Sequence, residues 1–367
     1  MILKNLENTV FEGCDFVVQL PEERKNTEIK ILQITDMQLI DATQRRTPER
    51  LRPDERAAWD PKNFDLQCGN HIRSLVAQAR PDLIIITGDI IYGSFDDNGS
   101  TLKWFANFMD SIGIPWAPVF GNHDNESALG VAWQCNLLEN AEYCLFKRGN
   151  VSGNGNYTVG VAIGDKLVRV LHMIDSNGCT QAIDVANVRA RGIYPDQFEM
   201  IRTNTALIRG AQKQEVPAFM AFHIPVEAFR EAEKGKGYIK NDDENYVIGV
   251  DVPQKDSDFG FRLEKYTTVP IKCDFIEFAK EVNIDGVFVG HAHAICFSIS
   301  YKDIVWTYGL KTGQYDYHIP CQIGGTLITL QGEKFKVNHL PSLVMCSMFA
   351  GRAPMFKDFF APGTFDT

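Results

Sequence analysis

Gly286-Val-Phe-Val-Gly-His-Ala-His293 holds, in one short stretch, the pattern that decides the fold: a continuous apolar run, a glycine, then two imidazoles one residue apart. A compact apolar run of this kind suits a strand covered on both faces. The one-residue spacing leaves both imidazoles of His291-Ala-His293 on the same side of an extended chain, ready to ligate one or two metals. The same order recurs upstream. Ile29 to Thr35 leads into Asp36-Met-Gln38, Leu83 to Thr87 into Gly88-Asp89-Ile-Ile-Tyr92, Pro115 to Phe120 into Gly121-Asn122-His123-Asp124, and Val216 to Phe222 into His223-Ile-Pro225. Val168 to Ile174 and Ile304 to Tyr308 are further apolar runs.

Helical spacing separates several of these runs. Leu102, Phe105, Phe108, Met109 and Ile112 form one apolar stripe behind Ser100, which can cap it. Leu66, Ile72, Leu75, Val76 and Ala79 form a second, and Phe275, Ile276, Phe278 and Val282 a third. Strands alternating with helices predict an α/β chain built in layers. The expected organisation is a lead-in at 1–28, one domain at 29–340, and a C-terminal tail at 341–367 without clear period. Within the domain, 41–64 and 227–269 look like loop excursions, and loops of that length are usually functional or mobile.

Composition narrows the class. With 367 residues, 44% of them hydrophobic, the chain can bury a substantial core, which excludes disorder, collagen and coiled coil. A net charge of -10 argues against a protein that wraps nucleic acid, because phosphate backbones need clustered cations. Small anionic substrates remain open, since bound cations reverse the local field. The nine cysteines are scattered without a Cys-x-x-Cys pair, so neither a zinc cage nor a disulfide framework is indicated. No run approaches the ~18 apolar residues of a membrane span, and a reducing, cytoplasmic setting is expected.

Each polar cluster taken alone has an ordinary reading: Asp36 and Gly88-Asp89 are residues that turns commonly use. Gly121-Asn122-His123-Asp124 is less easily dismissed, because three successive polar side chains are costly to bury without partners. Their joint occurrence at successive strand ends decides the matter. Side chains at the carboxyl ends of neighbouring strands converge on one crevice. Carboxylates, an amide and imidazoles together suit two hard or borderline cations.

In this order the motifs resemble the calcineurin-like metallophosphoesterase superfamily, over roughly Ile29 to Gly325. Gly113-Ile-Pro-Trp ahead of Gly121-Asn-His-Asp-Asn-Glu-Ser127, and Tyr308-Gly-Leu-Lys-Thr-Gly313, look like its purple-acid-phosphatase-related branch. The resemblance implies a four-layer αββα sandwich, two packed mixed β-sheets flanked by helices. It implies two metal ions, iron, zinc or manganese. Asp89 would bridge them, Asp36 and His293 would bind the first, Asn122, His223 and His291 the second, and His123 would be the catalytic acid. Asp124 either orients His123 or serves the turn. One position departs from the family: Gln38 stands where most members have a histidine. Purple acid phosphatases also lack that histidine and use a tyrosine from a Gly-Asp-x-x-Tyr motif, which makes Tyr92 the expected replacement ligand, with Gln38 a neutral oxygen donor or a supporting group.

The resemblance implies hydrolysis of a small phosphomonoester or phosphodiester by in-line attack of a metal-activated water. A non-catalytic descendant that binds a ligand or partner is the rival, warranted by Gln38. A nuclease fits the acidic composition least. His71, His172, His318 and His339 match no motif, although His318 could line the cleft. Arg45, Arg46, Arg50, Arg52 and Arg56 could meet substrate phosphate, but Glu49, Asp54 and Glu55 interleave them, as in a solvated loop.

Overall fold

The computed structural model describes residues 1–49, 53, 56, 64–178, 191–319 and 322–343, with nothing of the side chains of 64 and 65. Among the described residues fifteen strands run in chain order as β1 Ile2–Leu3, β2 Phe16–Leu20, β3 Ile29–Ile34, β4 Leu83–Thr87, β5 Trp116–Val119, β6 Tyr157–Ile163, β7 Lys166–Met173, β8 Ala218–Ala221, β9 Tyr246–Val247, β10 Phe259–Arg262, β11 Ile284–Val289, β12 Ile295–Tyr301, β13 Ile304–Tyr308, β14 Gly324–Gln331 and β15 Lys334–Pro341. They form two mixed sheets. The smaller has the order β15-β14-β3-β4-β5, and the larger β1-β2-β6-β7-β8-β11-β13-β12-β10-β9. In the smaller, β3, β4 and β5 are parallel; in the larger, so are β7, β8, β11 and β13.

Side-chain alternation assigns the layers. On β8, Phe219 and Ala221 belong to the core shared with Ile31, Ile84 and Ile86 of the smaller sheet, whereas Ala218 and Met220 belong to a second core with Phe198, Ile201 and Phe229. On β11, Phe288 faces the first core and Val287 and Val289 the second. A strand with apolar residues on both sides is covered on both faces. The helices α1 Phe64–Ala79, α2 Ser100–Ile112 and α3 Gly130–Glu139 pack outside the smaller sheet. The helices α4 Pro195–Gln212, α5 Ala228–Lys236 and α6 Phe275–Glu281 pack outside the larger. The result is the four-layer αββα sandwich.

Local expectations differ from the structure in three places. Ser100 is the first residue of α2 rather than its cap; Gly99, in the left-handed region at φ 71°, precedes it, and Asn98 Oδ1 accepts from the Ser100 N–H at 2.8 Å. Leu66 is 61% exposed, because Cys68 rather than Leu66 is in phase with Ile72, Leu75 and Ala79 on the buried face of α1. The 227–269 excursion is built structure: it holds α5 and adds β9 and β10 to the edge of the larger sheet. The 1–28 lead-in likewise supplies β2, parallel to β6. Of the 41–64 excursion, 50–52, 54, 55 and 57–63 lie outside the described residues, as does the tail from 344.

Candidate metal centre

The carboxyl ends of β3, β4 and β5 meet those of β8 and β11 at one shared edge of the two sheets. The smaller sheet brings Asp36, Asp89 and Asn122 there; the larger brings His223, His291 and His293. Backbone bonds fix the meeting: Asp36 N–H donates to Gly88 O at 3.1 Å, Gln38 N–H to Asp89 O at 2.9 Å, and Gly290 N–H to His223 O at 3.1 Å. Beneath them, the buried Gln33 amide donates to Thr87 Oγ1 at 2.9 Å and across the sheets to Val289 O at 3.0 Å.

The backbone is bent to present these groups. Asp36, Gln38, Asp89 and His291 have φ of 53°, 49°, 51° and 91°, a region that side chains other than glycine enter at a cost. Glycines let neighbouring segments close on the carboxylates. A Cβ on Gly121 would lie 2.1 Å from Asp89 Oδ1, and one on Gly290 2.6 Å from Asp36 Oδ2. Both carboxylates are tightly held: Asp36 accepts from Thr35 Oγ1 at 2.8 Å and from the His291 N–H at 3.1 Å, and Asp89 Oδ1 accepts from the His123 N–H at 2.9 Å.

Donor atoms of Asp36, Asp89 and His223 lie within 4.8 Å of one another, all buried. His223 Nδ1 donates to Thr87 O at 2.7 Å, which leaves Nε2 facing Asp89 Oδ2 at 3.3 Å. His293 repeats the device, with Nδ1 donating to Tyr317 O at 2.9 Å and Nε2 3.5 Å from Asp36 Oδ1; its ring stacks on Tyr317 at 4.3 Å. A carbonyl that fixes the proton on one ring nitrogen presents the other as a ligand. His291 pairs Nε2 with Thr267 Oγ1 at 3.1 Å, leaving Nδ1 as its donor atom, and its ring centre is 5.2 Å from that of His223. Asn122 Oδ1 is buried without a hydrogen bond, and His223 Nε2 faces only the Asp89 carboxylate. An orphaned donor atom beside two carboxylates is costly unless a cation receives it, so these residues fit a metal.

The charges act strongly on one another. Burial pushes the Asp89 carboxyl up, but the His223 and His123 charges outweigh it and hold Asp89 well below the usual carboxylate range. Burial works against a charged His223, yet Asp89 and Asp36 raise it to about 9. Burial and the neighbouring His223 push His291 down to about 3.

Near His123, the contacts of Asp124 are those of the turn reading rather than of the orienting one. Its carboxylate accepts from Ile91 N–H at 3.0 Å and Gly121 N–H at 2.7 Å, so it serves the turn. Glu126 instead reaches His123, with Oε2 2.8 Å from Nδ1. Sequence reasoning missed Glu126. The available signal was its i+3 spacing, since 124–126 form a short 3₁₀ turn.

Gln38 is buried, and its Oε1 accepts from Lys311 Nζ at 2.8 Å; Lys311 also donates to Asp36 O at 2.8 Å. The amide oxygen expected as a neutral donor is therefore engaged by an ammonium. Tyr92 packs with Ile40, Phe95 and Tyr315, edge-on to His123 with ring centres 4.5 Å apart.

A cleft of about 320 Å³ opens over the centre, lined by Asp89, Asn122, His123, His291 and His293, with Glu126, Arg191, Asp316 and Tyr317 around them. Glu264, Lys265, Tyr266 and Thr267 come from the 227–269 segment, whereas no described residue of 41–64 lines it. His318 is not among the lining residues, although Asp316 and Tyr317 are. Arg46 pairs with Asp97 at 2.5 Å, and Arg56 donates to Glu49 O at 2.9 Å, as a solvated loop would; Arg50 and Arg52 lie outside the described residues. His71, His172 and His339 are buried elsewhere, pairing with Ser342, Thr158 and Thr326.

The chain is similar to several known proteins. The sequence model described as calcineurin-like phosphoesterase matches residues 29–294. The probable inactive purple acid phosphatase 29 of Arabidopsis thaliana is 27% identical over 328 residues, 80% of this chain and 73% of that protein. The probable inactive purple acid phosphatase 28 of the same plant is 26% identical over 288 residues, 69% of this chain and 63% of that protein. A solved dimetal phosphatase from Danio rerio shares 11% identity at a TM-score of 0.48, covering 86% of this chain and 96% of its own.

Proposed function

On the premise that the chain belongs to the calcineurin-like phosphoesterase family, we propose that it is a dinuclear metal-dependent phosphoesterase acting on a small phosphomonoester or phosphodiester. The observation that carries this is the buried convergence of Asp36, Asp89 and His223 within 4.8 Å, next to a cleft that Asp89 and His123 line. Asp36, Asp89, Asn122, His223, His291 and His293 would hold two cations drawn from iron, zinc and manganese. Such ions neutralise phosphoryl oxygens and acidify water.

The remaining chemistry belongs to the chain. His123 stands in the cleft with Nδ1 anchored on Glu126 at 2.8 Å, so Nε2 can deliver a proton to a departing alkoxide. The carboxylate steadies the ring and the imidazolium, the role that the third member of a catalytic triad plays. Tyr317 and the Tyr317 carbonyl hold His293 by stacking and hydrogen bonding, and Thr267 holds His291. The mixed lining, with Glu126, Glu264 and Asp316 beside Arg191 and Lys265, supports a compact phosphoester over a polyanion. Buried thiols such as those of Cys14, Cys135 and Cys144 support a cytoplasmic, reducing setting.

The test is to measure metal per chain in the purified protein and assay it on a panel of monoesters and diesters, with and without added Mn²⁺, Zn²⁺ and Fe²⁺. Turnover that disappears in His123→Ala supports the proposal; a metal-loaded protein inert across the panel overturns it. That inert outcome would favour a second reading, a ligand-binding protein on the same fold, which the engagement of Gln38 by Lys311 and the word "inactive" in the two Arabidopsis names support.

A further inference from the structure

The two ends of the candidate centre are unequally equipped. Asp89 lies between the two ends; at one of them Asn122, His223 and His291 offer three donor groups, with Asn122 Oδ1 buried and without a hydrogen bond. At the other end stand Asp36 and His293, and next to them a buried lysine. Lys311 is 1% exposed, and its Nζ donates both to the Asp36 carbonyl and to Gln38 Oε1, each at 2.8 Å. It cannot easily withdraw. The Lys311 segment is stitched to the Asp36 segment by Thr312 N–H to Thr35 O at 2.8 Å and Gly313 N–H to Asp36 O at 3.3 Å, and a Cβ on Gly313 would lie 2.0 Å from Met37 O.

We infer that Lys311, locked by Gln38, keeps a fixed positive charge beside the Asp36–His293 end, so that this protein binds cations in two unequal steps: one tightly at the Asn122–His223–His291 end and one weakly and exchangeably at the Asp36–His293 end. The inference rests on the metal-binding reading above. The physical cause is repulsion: a lysine ammonium bonded to the backbone carbonyl of Asp36, in surroundings far less polarisable than water, opposes a cation on the carboxylate of the same residue and weakens its binding by roughly tenfold or more. Gln38 adds to the effect, because its one strong donor atom is already engaged.

Equilibrium dialysis of the metal-stripped full-length chain against Mn²⁺, read by elemental analysis, tests this without reference to activity. Wild type should show two classes of site separated by at least tenfold in Kd. Lys311→Met should strengthen the weak class roughly tenfold and leave the tight class in place. The double variant Gln38→Leu with Lys311→Met removes the lysine and its partner together and guards against misfolding from an orphaned amide; it too should bring the weak class up. Two equal sites in wild type would overturn the inference, as would a weak class that stays unchanged in folded Lys311 variants. If neither variant folds, the wild-type isotherm alone decides between equal and unequal sites. Absence of any Mn²⁺ binding, and of any Zn²⁺ binding when the dialysis is repeated with that ion, would instead bring down the metal-binding reading itself.

Discussion

At the residue scale, the chemistry turns on which side chain touches which. The sequence places Asp124 beside His123, yet a carboxylate one residue away is drawn inward by two backbone N–H groups, while Glu126, one 3₁₀ turn on, meets the imidazole. That choice is made by the turn and cannot be read from adjacency. It yields a prediction. His123→Ala should lower kcat on an alkyl phosphoester by ~10²–10⁴-fold, the usual range for a general acid, and by less on a 4-nitrophenyl ester whose leaving group needs no proton. Glu126→Gln should cost about tenfold with metal content unchanged, and Asp124→Asn should act on thermal stability more than on the leaving-group dependence. Equal losses on both esters in His123→Ala would remove the proton-donor role. That Asp36, Asp89, Asn122, His223, His291 and His293 would meet at one edge was legible because each lies just after an apolar run; the lysine that engages Gln38 was not, since it lies 273 positions away.

At the element scale, strands deliver donors and glycines let the deliveries coincide. Gly121→Ala should displace Asp89, because the new Cβ would fall 2.1 Å from Oδ1, and should deplete bound metal while costing ~1–3 kcal/mol of stability by overpacking. Gly210→Ala, where a Cβ on α4 meets nothing within 4 Å, should instead stabilise by ~0.5–1 kcal/mol. Metal analysis and urea melts on the two variants separate close approach from helix propensity. Two strands also carry buried neutral imidazoles. Burial pushes His172 on β7 and His339 on β15 down to about 3, against an ordinary 6.5. Between those values the unfolded chain binds protons that the folded chain does not, so stability falls as pH falls from about 6.5, by about 1.4 kcal/mol per pH unit for each histidine. Urea midpoints of metal-stripped protein at pH 7 and pH 5 should therefore diverge, and the divergence should shrink in His172→Gln and His339→Gln.

At the scale of the whole molecule, two sheets must be held in register for the centre to exist, since each supplies half of it. Arg169 of β7 does part of this: fully buried, it donates to both oxygens of Asp285 of β11 at 2.6 and 2.8 Å and to Glu333 O in the β14–β15 turn at 2.6 Å. Its guanidinium also lies 4.4 Å over Phe219 of the larger sheet and 5.4 Å over Phe335 of the smaller. Arg169→Met should destabilise by about 2–4 kcal/mol, because Asp285 and the Glu333 carbonyl lose their partner, and Arg169→Lys should restore little of that. Denaturant midpoints at fixed pH measure it. The sequence by itself determined the layered α/β class, the strands that carry ligands and the residue types at their ends, because a run of four to seven apolar residues and the polar cluster that stops it are local facts. Strands such as β6 with its internal Gly160, β12 directly after His293, and β14 opening on Gly324-Gly325 lack such punctuation, and only pairing with β7, β13 and β3 makes them strands. Tertiary structure alone decided that Glu126 rather than Asp124 serves His123, that Lys311 closes on Gln38, and that the 227–269 segment walls the cleft. Those contacts depend on how separate segments meet at one edge, and sequence spacing records only what each segment does alone.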